Sequence, residues 1–184
     1  MKVEIFPKLQ KKIGENKRKV EIISLAIIIL LAIFFRFFQI NSTPPGLYAD
    51  AAANGLDGLD INNGTLKIFF ERNAGREAIY YYIVAAFQLF TKDYFILYVV
   101  TAFLGVLTVI IHYFVIKGHF GRKIGLISTF LLSISFYHVI YSRLGYRNML
   151  MPIFVLLVFN YFMHLVKKRT VKYALLFGIV TALG

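Results

Sequence analysis

From residue 22 onward the chain is mostly a succession of apolar runs, the later ones separated by short charged clusters. Runs of about 18 residues or more, with few or no charges inside them, are the pattern of a polytopic membrane protein, because that length of helix matches the hydrocarbon core of a bilayer. The mean hydropathy of +0.69 agrees. The runs are Ile22 to Ile40, Ala78 to Thr91, Tyr94 to Ile116, Ile124 to Tyr141, Met149 to Val166, and a last one from about Tyr173 that the end of the chain cuts off. A secretory signal would have a shorter apolar core and a small-residue cleavage site, so the first run is read as an uncleaved span. The absence of Cys removes disulfides and thiolate metal sites. The predicted fold is therefore all-α, a polytopic transmembrane helical bundle.

The net charge of +12 does not indicate nucleic acid, because the cations flank the spans. Lys2, Lys8, Lys11, Lys12, Lys17, Arg18 and Lys19 precede the first run; Lys117, Arg122 and Lys123 lie between two others; Lys167, Lys168, Arg169 and Lys172 precede the last. This is positive-inside patterning, with anionic membrane lipids as partner. As a helix, the 14 residues of Ala78 to Thr91 reach only about 21 Å, short of the roughly 30 Å hydrocarbon core. If that segment does not cross, every strong cluster is cytoplasmic. Residues 1–21 then form a basic cytoplasmic segment and residues 22–184 a partial transmembrane domain. Within it, an extracytoplasmic loop, 41–93, carries short interfacial helices, with Tyr80, Tyr81 and Tyr82 near the head groups. Arg143 and Arg147 fall outside and need a reason other than topology.

All nine acids precede Tyr94. Acid–base chemistry must then come from the first external loop, where Asp50, Asp57 and Asp60 fall within "GLYADAAANGLDGLDINNG". Asp57, Asp60 and Glu71 read as acids of a solvated loop. Asp50 begins the apolar stretch "ADAAANGL", whose spacing suggests a short amphipathic helix on the bilayer face. It could be that helix's N-cap, or a base that takes a proton from an acceptor hydroxyl at the membrane surface. Pro44, Pro45 and Gly46 stop the first span.

The order of a basic start, "FFRFF", "PPGLYADAAANGLDGL", "FFERNAGREAIYYYIVAAFQLF", a long span, "FGRKIGL" and "FYHVIYSRLGYRNMLMPIFVLLVF" resembles the N-terminal part of polytopic GT-C glycosyltransferases. Within them it is similar to the branch of protein O-mannosyltransferases and of lipid A aminoarabinose transferases. The resemblance implies a GT-C-like bundle and a polyprenyl-phosphate sugar as lipid-linked donor. The acceptor would be an extracytoplasmic protein, lipid or glycan. The catalytic Asp of a "DE" pair in the first external loop matches Asp50. Two departures matter: Ala51 stands where the Glu would be, and Asn148 where the aminoarabinose branch has a second acid. Both point to one carboxylate working without metal, and no cofactor is expected. The natural chain is expected to continue beyond Gly184, the fragment alone being inactive.

Guanidinium groups suit the leaving phosphate, and Arg76, Arg143 and Arg147 are the donor-phosphate candidates. Glu77, Tyr137, His138 and Asn148 are candidate pocket residues. Arg36 reads as a snorkelling side chain. His112, His138 and His164 are too widely spaced for metal ligation and read as interhelical hydrogen-bonding groups. No strand is expected. The competing functions are a non-catalytic homologue and a membrane transporter or lipid-handling protein.

Overall fold

The computed structural model describes residues 5–43, 45–72 and 75–184, with side chains from Asn16 onward. Pro44 and the side chains of Lys8, Lys11 and Lys12, like all of Lys2, lie outside the described residues. Eight α-helices are seen among them: α1 Ile5–Phe37, α2 Ala49–Asn62, α3 Ile79–Gln88, α4 Phe95–Phe120, α5 Arg122–Ile134, α6 Phe136–Tyr141, α7 Met151–Lys168 and α8 Val171–Leu183. Three stretches are long and apolar enough to cross a membrane: Asn16–Phe37, Phe95–Phe120 and Arg147–Lys168. The chain is an all-α membrane protein. Its exposed faces carry Ile23, Ile27 and Leu30 on α1, Ile127 and Leu131 on α5, and Leu175 and Ile179 on α8, as lipid-facing surfaces do.

Four expectations are corrected. A strand pair does exist: β1 Phe69–Phe70 and β2 Arg76–Glu77 form a two-residue antiparallel ladder, with Phe69 opposite Glu77 and Phe70 opposite Arg76. The first helix ends at Phe37 rather than at the prolines, because Gln39 adopts a left-handed φ of 52° and the following turns close on Gln39 and Phe37. Of the three tyrosines, Tyr80 and Tyr81 are fully buried and only Tyr82 is exposed, donating to the Lys67 carbonyl. Finally, the run Ile124 to Tyr141 is two helices. Ser135, with φ −60° and ψ 119°, breaks it between α5 and α6.

The main core lies beneath the first loop. Ala51 of α2, Phe70 of β1, Tyr80, Tyr81 and Val84 of α3 and Met149 pack on the face of α4 that carries Ile96, Leu97, Tyr98 and Val100. The short helices are tied to each other by polar bonds: Gln88 Nε2 donates to the Gly55 carbonyl at 2.9 Å, a buried bond, and Asn62 Nδ2 to the Ala85 carbonyl at 3.0 Å, a half-buried one. At ten residues α3 is about 15 Å long, half a hydrocarbon core. At the opposite end of the bundle, Glu21 joins α1 to α4 and α5 through Tyr113, Lys117 and Arg122.

Candidate active site

The site grows from the start of α2. Asp50 sits in its first turn, where a carboxylate is favoured by the helix dipole, while the N-cap position itself belongs to Tyr48 and has no side-chain cap. The Asp50 side chain is 57% exposed, and its Oδ1 lies 3.7 Å from Arg76 Nη2. Arg76 is 12% exposed and donates from Nη1 to Asn54 Oδ1 at 3.0 Å, one helical turn after Asp50. Successive residues of a strand face opposite ways, so β2 can turn Arg76 to α2 and Glu77 away from it. Glu77 pairs with Arg147, the first residue of a 3₁₀ helix, Arg147–Leu150, that leads into α7.

The loop carrying Arg147 is pinned at Gly145. Its carbonyl accepts from Asn54 Nδ2 at 3.1 Å and from the Tyr80 hydroxyl at 3.0 Å, and its N–H donates to Thr101 Oγ1 at 3.2 Å. Gly145 has φ 71°, and a Cβ there would come within 3.1 Å of Ala51 Cβ. Ala51 is itself completely buried. The residue after Asp50 is thus packed against the loop backbone, which leaves no room for a longer, charged side chain.

Two cavities meet at Asn148. One, of about 380 Å³, is lined by Glu77, Arg147 and Asn148 at its polar end and by Ile79, Leu150, Met151 and Phe154 below. Met151 and Phe154 also line an apolar groove of about 500 Å³ between α7 and α8. The other cavity, of about 290 Å³, is bounded by Ser135, Tyr137, His138, Tyr141, Asn148, Met149 and Pro152. Of the residues singled out in the sequence, Asp50, Arg76, Glu77, Arg147 and Asn148 therefore form one connected cluster. Tyr137 and His138 line the second cavity.

Arg143 is engaged elsewhere. Its guanidinium donates to the carbonyls of Phe35, Arg36, Phe38 and Thr43 at 2.7 to 3.2 Å, serving acceptors of the last turn of α1, which lack helical partners, and of the turns that follow it. Arg36 does not snorkel. It is wholly buried and donates to the carbonyls of Ala32 and Ser133, both at 3.0 Å, and to His138 Nδ1 at 2.7 Å. Ser133 lies at the α5–α6 break, so Arg36 partners a carbonyl where the regular helical ladder stops. Gly105 makes the space, since a Cβ there would meet Arg36 Nε at 3.0 Å and Ser142 Cβ at 2.6 Å. His112 Nδ1 lies 3.0 Å from Thr129 Oγ1 across α4 and α5, an interhelical bond, whereas His164 bonds the Asn160 carbonyl of its own helix.

Asp57 is likewise no solvated acid. It is 3% exposed and, with half-exposed Asp60, holds Arg72 at 2.8 Å. Glu71 is the exposed one, 3.8 Å from Lys67. Burial raises the Asp57 pKa above the usual carboxylate range, while the Arg72 guanidinium opposes that shift. The folded protein then holds this proton more tightly than the unfolded chain, and the associated stability, full below the ordinary carboxylate value, is lost as pH rises through the folded one. Removing Arg72 raises the folded value further. Arg72→Ala is therefore expected to destabilise by about 1–3 kcal/mol at pH 7 and by less near pH 4, with Asp57→Asn restoring most of the loss. Thermal unfolding in detergent at the two pH values checks this. Arg72 and Asn54 are the site-supporting residues that sequence reasoning missed; a lone Asn four residues after Asp50 in an alanine-rich helix was the available signal.

The profile of the dolichyl-phosphate-mannose-protein mannosyltransferase family matches residues 78–184. The chain belongs to that family. It is accordingly a membrane glycosyltransferase of the GT-C type. Comparison with curated proteins and with solved structures gave no match. The span shared with the mannosyltransferase family begins at Ala78, so Arg147 and Asn148 lie inside it, while Asp50, Arg76 and Glu77 precede it.

Proposed function

We propose that the protein transfers a sugar from a polyprenyl-phosphate donor to a hydroxyl of an extracytoplasmic acceptor, with Asp50 as general base. The acceptor oxygen attacks the anomeric carbon, its proton passes to Asp50, and the bond to the phosphate oxygen breaks with its electron pair leaving on the lipid phosphate. Attack in line inverts the sugar carbon. The single observation carrying this reading is the adjacency of the Asp50–Arg76 pair to the Glu77–Arg147 pair through consecutive residues of one strand. That adjacency supports reading Asp50 as the proton acceptor and Arg147 as the phosphate-binding cation of one site.

The 380 Å³ cavity suits the donor, being polar at Arg147 and apolar toward Met151 and Phe154, where the groove between α7 and α8 continues. We read Arg147 as the group that meets the phosphate, and Arg76 as the cation that orients Asp50. Arg143, spent on four carbonyls at and just after the end of α1, drops from the donor-binding set. A metal-independent mechanism is favoured by the charge beside Asp50, an arginine rather than a second acid, and by the tight packing of Ala51.

The test is transfer from polyprenyl-phosphate mannose by full-length protein in proteoliposomes. Arg147→Gln is expected to lower kcat by about 10²-fold, the usual effect of removing one donor to a developing anion. Unchanged kcat in that variant would remove Arg147 from the reaction.

A further inference from the structure

At the end of the bundle opposite Asp50, the start of the α1 span and the start of α5 enclose an open cavity of about 520 Å³. Lys17, Val20, Glu21, Arg122, Lys123 and Leu126 line it. Its one acid is already committed: Glu21 accepts from the Tyr113 hydroxyl at 2.5 Å, pairs with Lys117, and lies 2.7 Å from Arg122 Nε. Lys17, Arg122 and Lys123 against Glu21 leave the lining with two positive charges in excess. Lys17 and Lys123 are exposed and make no ion pair among the described residues.

Below that basic mouth the walls are apolar. Val20, Ile23 and Ile27 on α1 and Ile124, Ile127 and Leu131 on α5 are all more than half exposed. A charged mouth above two parallel apolar helix faces has the polarity profile of a phospholipid, anion first and acyl chains after it. A soluble anion would use the mouth and leave the faces unpartnered. Surface attraction alone would not distinguish these lysines from others at the same depth.

We infer that this groove is a specific site for an anionic phospholipid, its phosphate held between Lys17 and Lys123 and its acyl chains lying along the exposed faces of α1 and α5. Glu21, by fixing Arg122 and Lys117, holds the three helices that shape the mouth. The site is independent of the transferase chemistry proposed above, and its occupancy would brace the packing of α1 against α4 and α5 rather than enter the reaction.

The 184-residue chain in phosphatidylcholine nanodiscs containing a minor fraction of phosphatidylglycerol tests it, with retained lipid counted by native mass spectrometry. Wild type is expected to retain phosphatidylglycerol well above its share of the bilayer, and the Lys17→Gln/Lys123→Gln pair to lose about tenfold of that preference. Lys167→Gln/Lys172→Gln, an equal change of charge away from the groove, is expected to retain it. Equal loss in both double variants would reduce the effect to diffuse electrostatics and overturn the site. So would absence of enrichment in wild type, or full displacement of the lipid by free glycerol phosphate.

Discussion

Asp50→Asn is expected to lower sugar transfer by about 10²- to 10⁴-fold, the range for loss of a positioned base, with folding and membrane insertion unchanged. The substitution is nearly isosteric and leaves the start of α2 intact, since Asp50 is more than half exposed and is not the N-cap. It removes the proposed proton acceptor and weakens the contact to Arg76, which keeps its bond to Asn54. The loss is therefore expected in kcat rather than in KM, and it should persist at every pH at which the wild type works, because an amide cannot be deprotonated there. Transfer rates from a lipid-linked donor, at saturating and at limiting concentrations, measure both. Wild-type kcat in Asp50→Asn would show that the base lies elsewhere or that the hydroxyl needs none.

The largest effect on stability is expected at Arg36. A cation with no exposed surface at the end of a membrane-spanning helix is tolerated because three acceptors surround it: the carbonyls of Ala32 and Ser133 and the ring nitrogen of His138. No carboxylate pairs with it among the described residues. Arg36→Ala would leave a cavity beside Gly105 and remove the donor to the carbonyl at the α5–α6 break. Together these predict a loss of about 3–5 kcal/mol. Arg36→Met separates the two contributions, since it fills most of the volume and restores none of the hydrogen bonds; an intermediate loss is expected. Midpoints of thermal unfolding in detergent rank the three proteins. A methionine variant as stable as wild type would mean that desolvation of the guanidinium cancels its hydrogen bonds.

Arg36 also shows where the sequence stops being informative. Hydropathy located the three long apolar helices, because each is long, apolar and bounded by charge, and the amphipathic spacing after Asp50 located α2. The break at Ser135 carries no such mark. "LLSISFYHV" has neither Pro nor Gly and reads as unbroken helix; what accompanies the interruption is a guanidinium arriving from almost a hundred residues earlier in the chain. Arg143 misled for the same reason, since an external arginine suggests an anion, and the four carbonyls it serves belong to the end of α1 and the turns that follow it. Asp57 read as solvated because its partner Arg72 sits in a loop whose path no periodicity reveals. The cluster of Asp50, Arg76, Glu77 and Arg147 was legible as residue types in order. Its connectivity required the two-residue strand, which is too short to leave an alternating pattern.

The proposed transferase mechanism requires that α2, β2 and the loop before α7 share the extracytoplasmic surface, and that α3 does not carry the chain across the membrane. The absence of native Cys allows a direct test by single replacements at Leu66, Lys92 and Gly118, each probed in intact cells with a membrane-impermeant thiol reagent. Leu66 and Lys92 are exposed on either side of α3, and Gly118 lies open near the far end of α4. Labelling of 66 and 92 from outside, with 118 protected until the membrane is opened, is the predicted result. Labelling of 66 and 118 with 92 protected would mean that α3 crosses, and the site assembled from Asp50 and Arg147 could not exist on one surface.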